Sequence, residues 1–194
     1  MNSRIHPNDL LFPGTVFGIG MVILATMLMM LSGSPTNLND WYPSDEFLQE
    51  SLLGLLLGAV GAMSAWAMTS HITAFIRLRD RLIAMMRFEA LKLWHALAFG
   101  IMAGVPEEIL FRGAIQPQLG LILTALIFGA LHAISWIYFV YAAGAGLLLG
   151  LMVEWRGNLW AATMAHFAYD AGVFLLLAWY VAQQEKSRDE VAYS

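Results

Sequence analysis

Cysteine is absent from this 194-residue sequence, which removes a disulfide framework, a thiolate nucleophile and thiolate metal ligands, and so excludes zinc ribbons and cysteine peptidases. Charge is scarce as well. Asp, Glu, Lys and Arg make up 12% of the residues, and ten Lys and Arg against a net charge of −4 cannot form a basic nucleic-acid surface. No internal repeat, low-complexity tract or linker divides the chain. What is present is apolar: 59% of residues are hydrophobic and the mean hydropathy is +0.66, more than a soluble domain of this length can bury.

The apolar residues fall into runs of membrane-crossing length. Leu10 to Leu31 and Ser51 to Ser70 carry no charge and match the roughly 20 residues that a hydrocarbon core about 30 Å thick requires. The first could also be read as a signal peptide led by Arg4, but its run is long and no small-residue cleavage site follows. Leu93 to Pro106 rises only about 21 Å as helix, so if it spans, Glu107, Glu108 and Arg112 enter the membrane with it. Gly113 to Val153, free of Asp, Glu, Lys and Arg, is too long for one crossing and should turn back near Ala133 to Trp136. Leu159 to Ala182 completes an all-α, polytopic bundle of about six spans.

Half of the Lys and Arg lie between Arg77 and Lys92, whereas Ser32 to Glu50 holds Asp40, Asp45, Glu46 and Glu50 without a basic residue. Positive loops stay in the cytoplasm, so both termini are expected there, in a prokaryotic inner membrane; Arg156 on an outer loop runs against this. Residues 1–90 read as two N-terminal spans with a basic loop, 91–182 as a helical core, and 183–194 as a polar, frayed tail.

Ionisable groups at bilayer depth persist where they pair or do chemistry. Three short stretches hold them here. Glu108 and Arg112 are four residues apart on one helical face with the acid first, the favourable order for an ion pair; Glu107 points about 100° away and is left without that partner. Pro106 cannot donate to the carbonyl of Met102, which predicts a kink just before the acids. Phe128 and His132 share one face of the next span, and His166 and Asp170 share a face of the last. Each stretch alone is compatible with helix packing: an ion pair, a hydrogen-bonded core histidine, a polar clip between helices. Three such accidents on consecutive parts of one bundle favour a functional site.

The ordered set, Glu107-Glu108 with Arg112, then Phe128-x-x-x-His132, then His166-x-x-x-Asp170, resembles the CPBP family: the CAAX-prenyl-protease and bacteriocin-processing intramembrane glutamic endopeptidases, also called Abi. The resemblance covers roughly Leu93 to Ala182; the two N-terminal spans are similar only in being hydrophobic. It implies hydrolysis of a peptide bond in a membrane-anchored protein or peptide, without metal or cofactor. By resemblance Glu107 is the base, His132 helps hold the water, Glu108 and Arg112 form a supporting pair, and His166 and Asp170 lie at the oxyanion. The family allows Asn or Asp at the last position. An ionised Asp170 cannot donate to an oxyanion, so the expectation is that it orients His166, whose other ring nitrogen donates. The stretch from Arg112 to Phe128 is short for the family and lacks basic residues.

Two readings from other classes stand beside this one. Glu107, His132 and His166 could hold Zn²⁺ with water in the open position, although the HExxH spacing is absent. Alternatively the polar cluster could serve packing alone, in a non-catalytic immunity or assembly module. A di-metal bundle lacks its Glu-x-x-His pairs, and a transporter lacks an inverted repeat.

Overall fold

The structure, a computed structural model, describes residues 4–33, 41 and 45–192. Part of the acidic segment noted above, including Asp40, lies outside the described residues. Among the described residues there is no strand beyond a single bridge between Ile5 and Met86. The helices are α1 (Pro7–Ser32), α2 (Phe47–His71), α3 (Thr73–Met85), α4 (Leu93–Glu108), α5 (Gln116–Leu131), α6 (Trp136–Arg156) and α7 (Trp160–Ala192). A π-helical segment, Ile109–Ile115, joins α4 to α5.

By length and composition five runs can cross a membrane, which makes this an integral membrane protein. One of the five, the 39-residue run Leu93–Leu131, would be about 58 Å long if straight, almost twice the hydrocarbon thickness. It is not straight. Gly120 adopts φ 76° and ψ 167°, a conformation essentially closed to other residues, and the chain folds back there. Phe111 and Phe128 consequently stack edge to face with centroids 4.9 Å apart, although one continuous helix would separate them by about 25 Å. The third and fourth expected spans are thus the two limbs of one folded run.

Close approaches of glycine fix the packing. On α2, a Cβ at Gly54 would meet Met164 Cβ at 2.6 Å, and one at Gly58 would meet Ala168 Cβ at 2.8 Å, so α2 and α7 lie side by side in parallel. Gly100 and Gly104 press on the backbone of Phe167, which sets α7 antiparallel to α4. These small residues let helix backbones meet where no hydrophobic driving force separates protein from lipid. Helix α6 is clamped to the π segment and the start of α5 by Arg112 donating to the Gly146 carbonyl (2.8 Å) and Gln116 to that of Gly150 (3.2 Å).

Both described ends of the chain belong to the end of the bundle that carries the basic segment. Ile5 pairs with Met86, and Arg79 lies 4.5 Å over the Tyr180 ring. His95 Nδ1 accepts from the Lys92 amide (2.9 Å), so the neutral ring donates from Nε2 to Asn8 Oδ1 (2.7 Å) and ties α4 to α1. The basic segment is itself structured as α3, anchored by buried Phe75. At the opposite end Arg156 pairs with the fully buried Glu50, which supplies with a partner the arginine that ran against the expected orientation. Gly157 at φ 69° caps α6, and Asn158 Oδ1 accepts from the Trp160 amide to start α7 (2.9 Å).

One expectation needs correction. The tail expected to fray is helical through Ala192, continuing α7. Helix α4 passes through Pro106, and a second irregularity follows the acids, where the hydrogen-bond pattern changes from α to π at Ile109. An inserted π turn satisfies the backbone with one extra residue per turn and commonly marks functional positions.

Candidate active site

The last turn of α4 ends on Glu107 and Glu108, which point to different sides. Glu108 has no exposed surface, nor does the Arg112 side chain, and they pair at 2.8 Å. Arg112 also lies 4.7 Å over the Phe128 ring, so the guanidinium is held by a carboxylate, a carbonyl and an aromatic face.

Glu108 does more than neutralise Arg112. Its Oε1 lies 2.8 Å from His166 Nδ1, and because a carboxylate only accepts, the imidazole donates from Nδ1. The hydrogen bond expected between Asp170 and His166 is not made: Asp170 Oδ2 is 3.6 Å from Nε2, on the other side of the ring. Glu108, not Asp170, orients His166. This could not be read from sequence because Glu108 and His166 lie on different helices.

His132 ends α5, with Nδ1 2.8 Å from the Phe128 carbonyl. It too donates from Nδ1, and Phe128 stacks on its ring at 4.3 Å while meeting His166 edge-on at 6.0 Å. Both Nε2 atoms then face Glu107 Oε2, at 3.6 Å from His132 and 3.9 Å from His166. These separations exceed a direct hydrogen bond and suit a single oxygen between the groups. Glu107 Oε2 is buried and has no hydrogen-bond partner among the described residues.

Glu107, Phe128, His132, His166 and Asp170 line one cavity of about 1540 Å³ among α1, α2, α4, α5, α6 and α7. Glu108 and Arg112 do not line it; they lie behind the wall. The rest of the lining is mostly apolar apart from Ser64 and three tyrosines that sequence reasoning missed, Tyr138 and Tyr141 of α6 and Tyr169 of α7. The hydroxyls of Tyr141 and Tyr169 are 2.8 Å apart. Helical spacing places Tyr169 on the face of His166 and Asp170, but its partner on α6 had no signal in the sequence.

Among the described residues no group of three or more His, Asp or Glu is placed to hold a metal ion; Glu107, His132 and His166 are not drawn into a ligand cage.

Residues 89–172 match the family described as Rce1-like, type II CAAX prenyl endopeptidase. Over that stretch the chain is similar to an Rce1-like domain. All four cavity-lining ionisable residues and the pair behind them fall inside it, whereas α1 and α2 lie outside. An 80-residue stretch is 41% identical to the uncharacterized protein YpbD of Bacillus subtilis (strain 168), covering 40% of this chain and 42% of that relative. The chain thus matches less than half the length of the relative. No solved structure gives a significant match. The Rce1-like domain is the segment whose ordered motifs resemble the CPBP family, and it contains the fold-back at Gly120 and the π turn.

Proposed function

We propose that this protein is an intramembrane endopeptidase that hydrolyses a peptide bond in a membrane-anchored protein or peptide with a water activated by Glu107. One observation carries the reading: a buried carboxylate oxygen without a hydrogen-bond partner, faced by two imidazole Nε2 atoms at 3.6 and 3.9 Å.

Phe128 and Glu108 hold the Nδ1 proton of each imidazole, so Nε2 of a neutral ring is an acceptor, and a water between the two rings and Glu107 is surrounded by groups that attract its protons. Glu107 takes one proton as the water oxygen attacks the scissile carbonyl carbon. It returns that proton to the leaving amine as the carbon–nitrogen bond breaks. His132 and His166 hold the water, and Glu108 and Arg112 hold His166 and the helix. The apolar cavity excludes bulk water, which strengthens each electrostatic contact. Prenylated C-terminal motifs, leader peptides and membrane-anchored sorting tails all fit the chemistry. Helices α1 and α2 serve as part of the cavity wall. The basic segment supports an orientation in which its end of the bundle, with both described ends of the chain, faces the cytoplasm, in the inner membrane of a prokaryotic cell.

The test uses purified protein in detergent and an anchored fluorophore–quencher peptide library. Glu107→Gln should abolish cleavage while leaving the folded amount unchanged; cleavage retained by that variant rejects the reading, and folded wild-type protein without activity favours the immunity or assembly module. Cleavage should persist in strong chelator, and loss restored by Zn²⁺ would transfer Glu107, His132 and His166 to metal ligation.

A further inference from the structure

An acyl-transfer site needs hydrogen-bond donors for the charge that develops on the carbonyl oxygen, and with the carboxylates ionised and the imidazoles neutral, the forms in which they act on the water, the four ionisable residues of this cavity supply none. Glu107 and Asp170 are acceptors when ionised. His132 and His166 each spend the Nδ1 proton on a fixed acceptor, the Phe128 carbonyl and Glu108, both at 2.8 Å, which leaves Nε2 of the neutral ring as a lone pair. The cavity does hold donors of another kind. Tyr169 lies on the α7 face that carries His166 and Asp170, Tyr141 faces it from α6, and both line the cavity with their hydroxyls 2.8 Å apart.

We infer that the Tyr141–Tyr169 pair supplies a hydroxyl donor to the carbonyl oxygen of the bound peptide, the contact that Asp170 cannot make. The inference rests on the peptidase reading above. Two hydroxyls in one hydrogen bond use one proton between them, so the acceptor of the pair keeps its own O–H for a third group. The pair is held in place at both ends. The Tyr141 ring meets Phe75 edge to face at 5.1 Å, and Tyr169 lies against Gly61 of α2, whose added Cβ would sit 3.3 Å from the ring. A hydroxyl fixed on a packed ring is preorganised, the condition under which such a donor is most effective. The short bond between the tyrosines also joins α6, which is clamped to the π segment, to α7, which carries His166.

Phenylalanine removes each hydroxyl and keeps the ring contacts, so Tyr141→Phe and Tyr169→Phe are compared with wild type in micelles. The probe is the fastest-cleaved member of an isoprenylated or acylated fluorophore–quencher peptide library. The variant that loses the outward hydroxyl should lose about 10²- to 10³-fold in kcat, the usual effect of deleting one oxyanion donor, with KM changed less than about threefold. Asp170→Asn brings an N–H of its own to the cavity, so in that background the same Phe substitution should cost at least about tenfold less. A purely packing role would cost the same in both backgrounds, and that result overturns the inference. So does kcat within about twofold of wild type in both single variants. Glu107→Gln run alongside separates the two claims: full activity there, or a wild type that cleaves no member, rejects the peptidase reading and the inference with it. An inactive Glu107→Gln beside fully active Phe variants rejects the tyrosine donor alone.

Discussion

Removing the Glu108 side chain tests the support of the site more sharply than removing any cavity-lining residue. Glu108→Ala leaves the Arg112 guanidinium, with no exposed surface, beside only the Gly146 carbonyl and the Phe128 ring. Stranding one partner of a buried ion pair costs about 3 to 5 kcal/mol, roughly 10²- to 10⁴-fold in the folding equilibrium. Glu108→Gln keeps a carbonyl oxygen that still accepts from Arg112 and from His166 Nδ1. It keeps both hydrogen bonds but no longer neutralises the guanidinium, so its loss is at least the difference between charged and neutral hydrogen bonds, about 1 to 1.5 kcal/mol, and stays below that of alanine, which loses the charge and the hydrogen bonds together. Reversible unfolding by SDS in mixed micelles, followed by tryptophan fluorescence, should therefore rank wild type above Gln above Ala. Nitrogen NMR of labelled histidine should show His166 as the Nδ1–H tautomer in wild type and in Gln, and a tautomer mixture in Ala. An alanine variant within about 1 kcal/mol of wild type, or a glutamine variant as damaged as alanine, would refute the shared-carboxylate reasoning.

Other substitutions probe the scaffold. Gly120→Ala meets no atom within 4 Å yet forces a side chain into the conformation at φ 76°, and backbone strain of about 1 to 3 kcal/mol should lower the melting temperature and displace Phe128 and His132 enough to cut activity; an unchanged melt would show that the fold-back does not depend on glycine. Gly58→Ala places a Cβ against the Ala165 carbonyl and 2.8 Å from Ala168 Cβ, so it should destabilise by about 1 to 3 kcal/mol through overpacking, while Gly20→Ala, facing open space, should leave the SDS midpoint unchanged or slightly raised. Glu50→Gln at the far end weakens the tie to Arg156 and should lower the melting temperature while leaving KM intact; a stable variant with altered KM would show that this pair shapes the cavity instead.

Much of this architecture is written in the order of residues. Charge-free runs too long for soluble helices fix a membrane bundle, because backbone groups in lipid must be satisfied within their own segment. The spacing of Glu108 with Arg112 is a local property of one helix, so their pairing is legible before any tertiary contact is known. Glu107, standing a step around that helix, is legible in the same way as the acid left over. The partner of His166 was not legible. Local spacing offered only Asp170, on the same helix; packing of α7 against α4 through Gly100 and Gly104 brought Glu108 to the ring instead. The fold-back at Gly120 was hidden likewise, because hydropathy counts apolar residues and carries no record of a single positive φ. The tyrosine pair and the bond between Glu50 and Arg156 join helices that are distant in sequence. Hydrogen bonds between elements depend on where helices come to rest, and only the packed bundle specifies that.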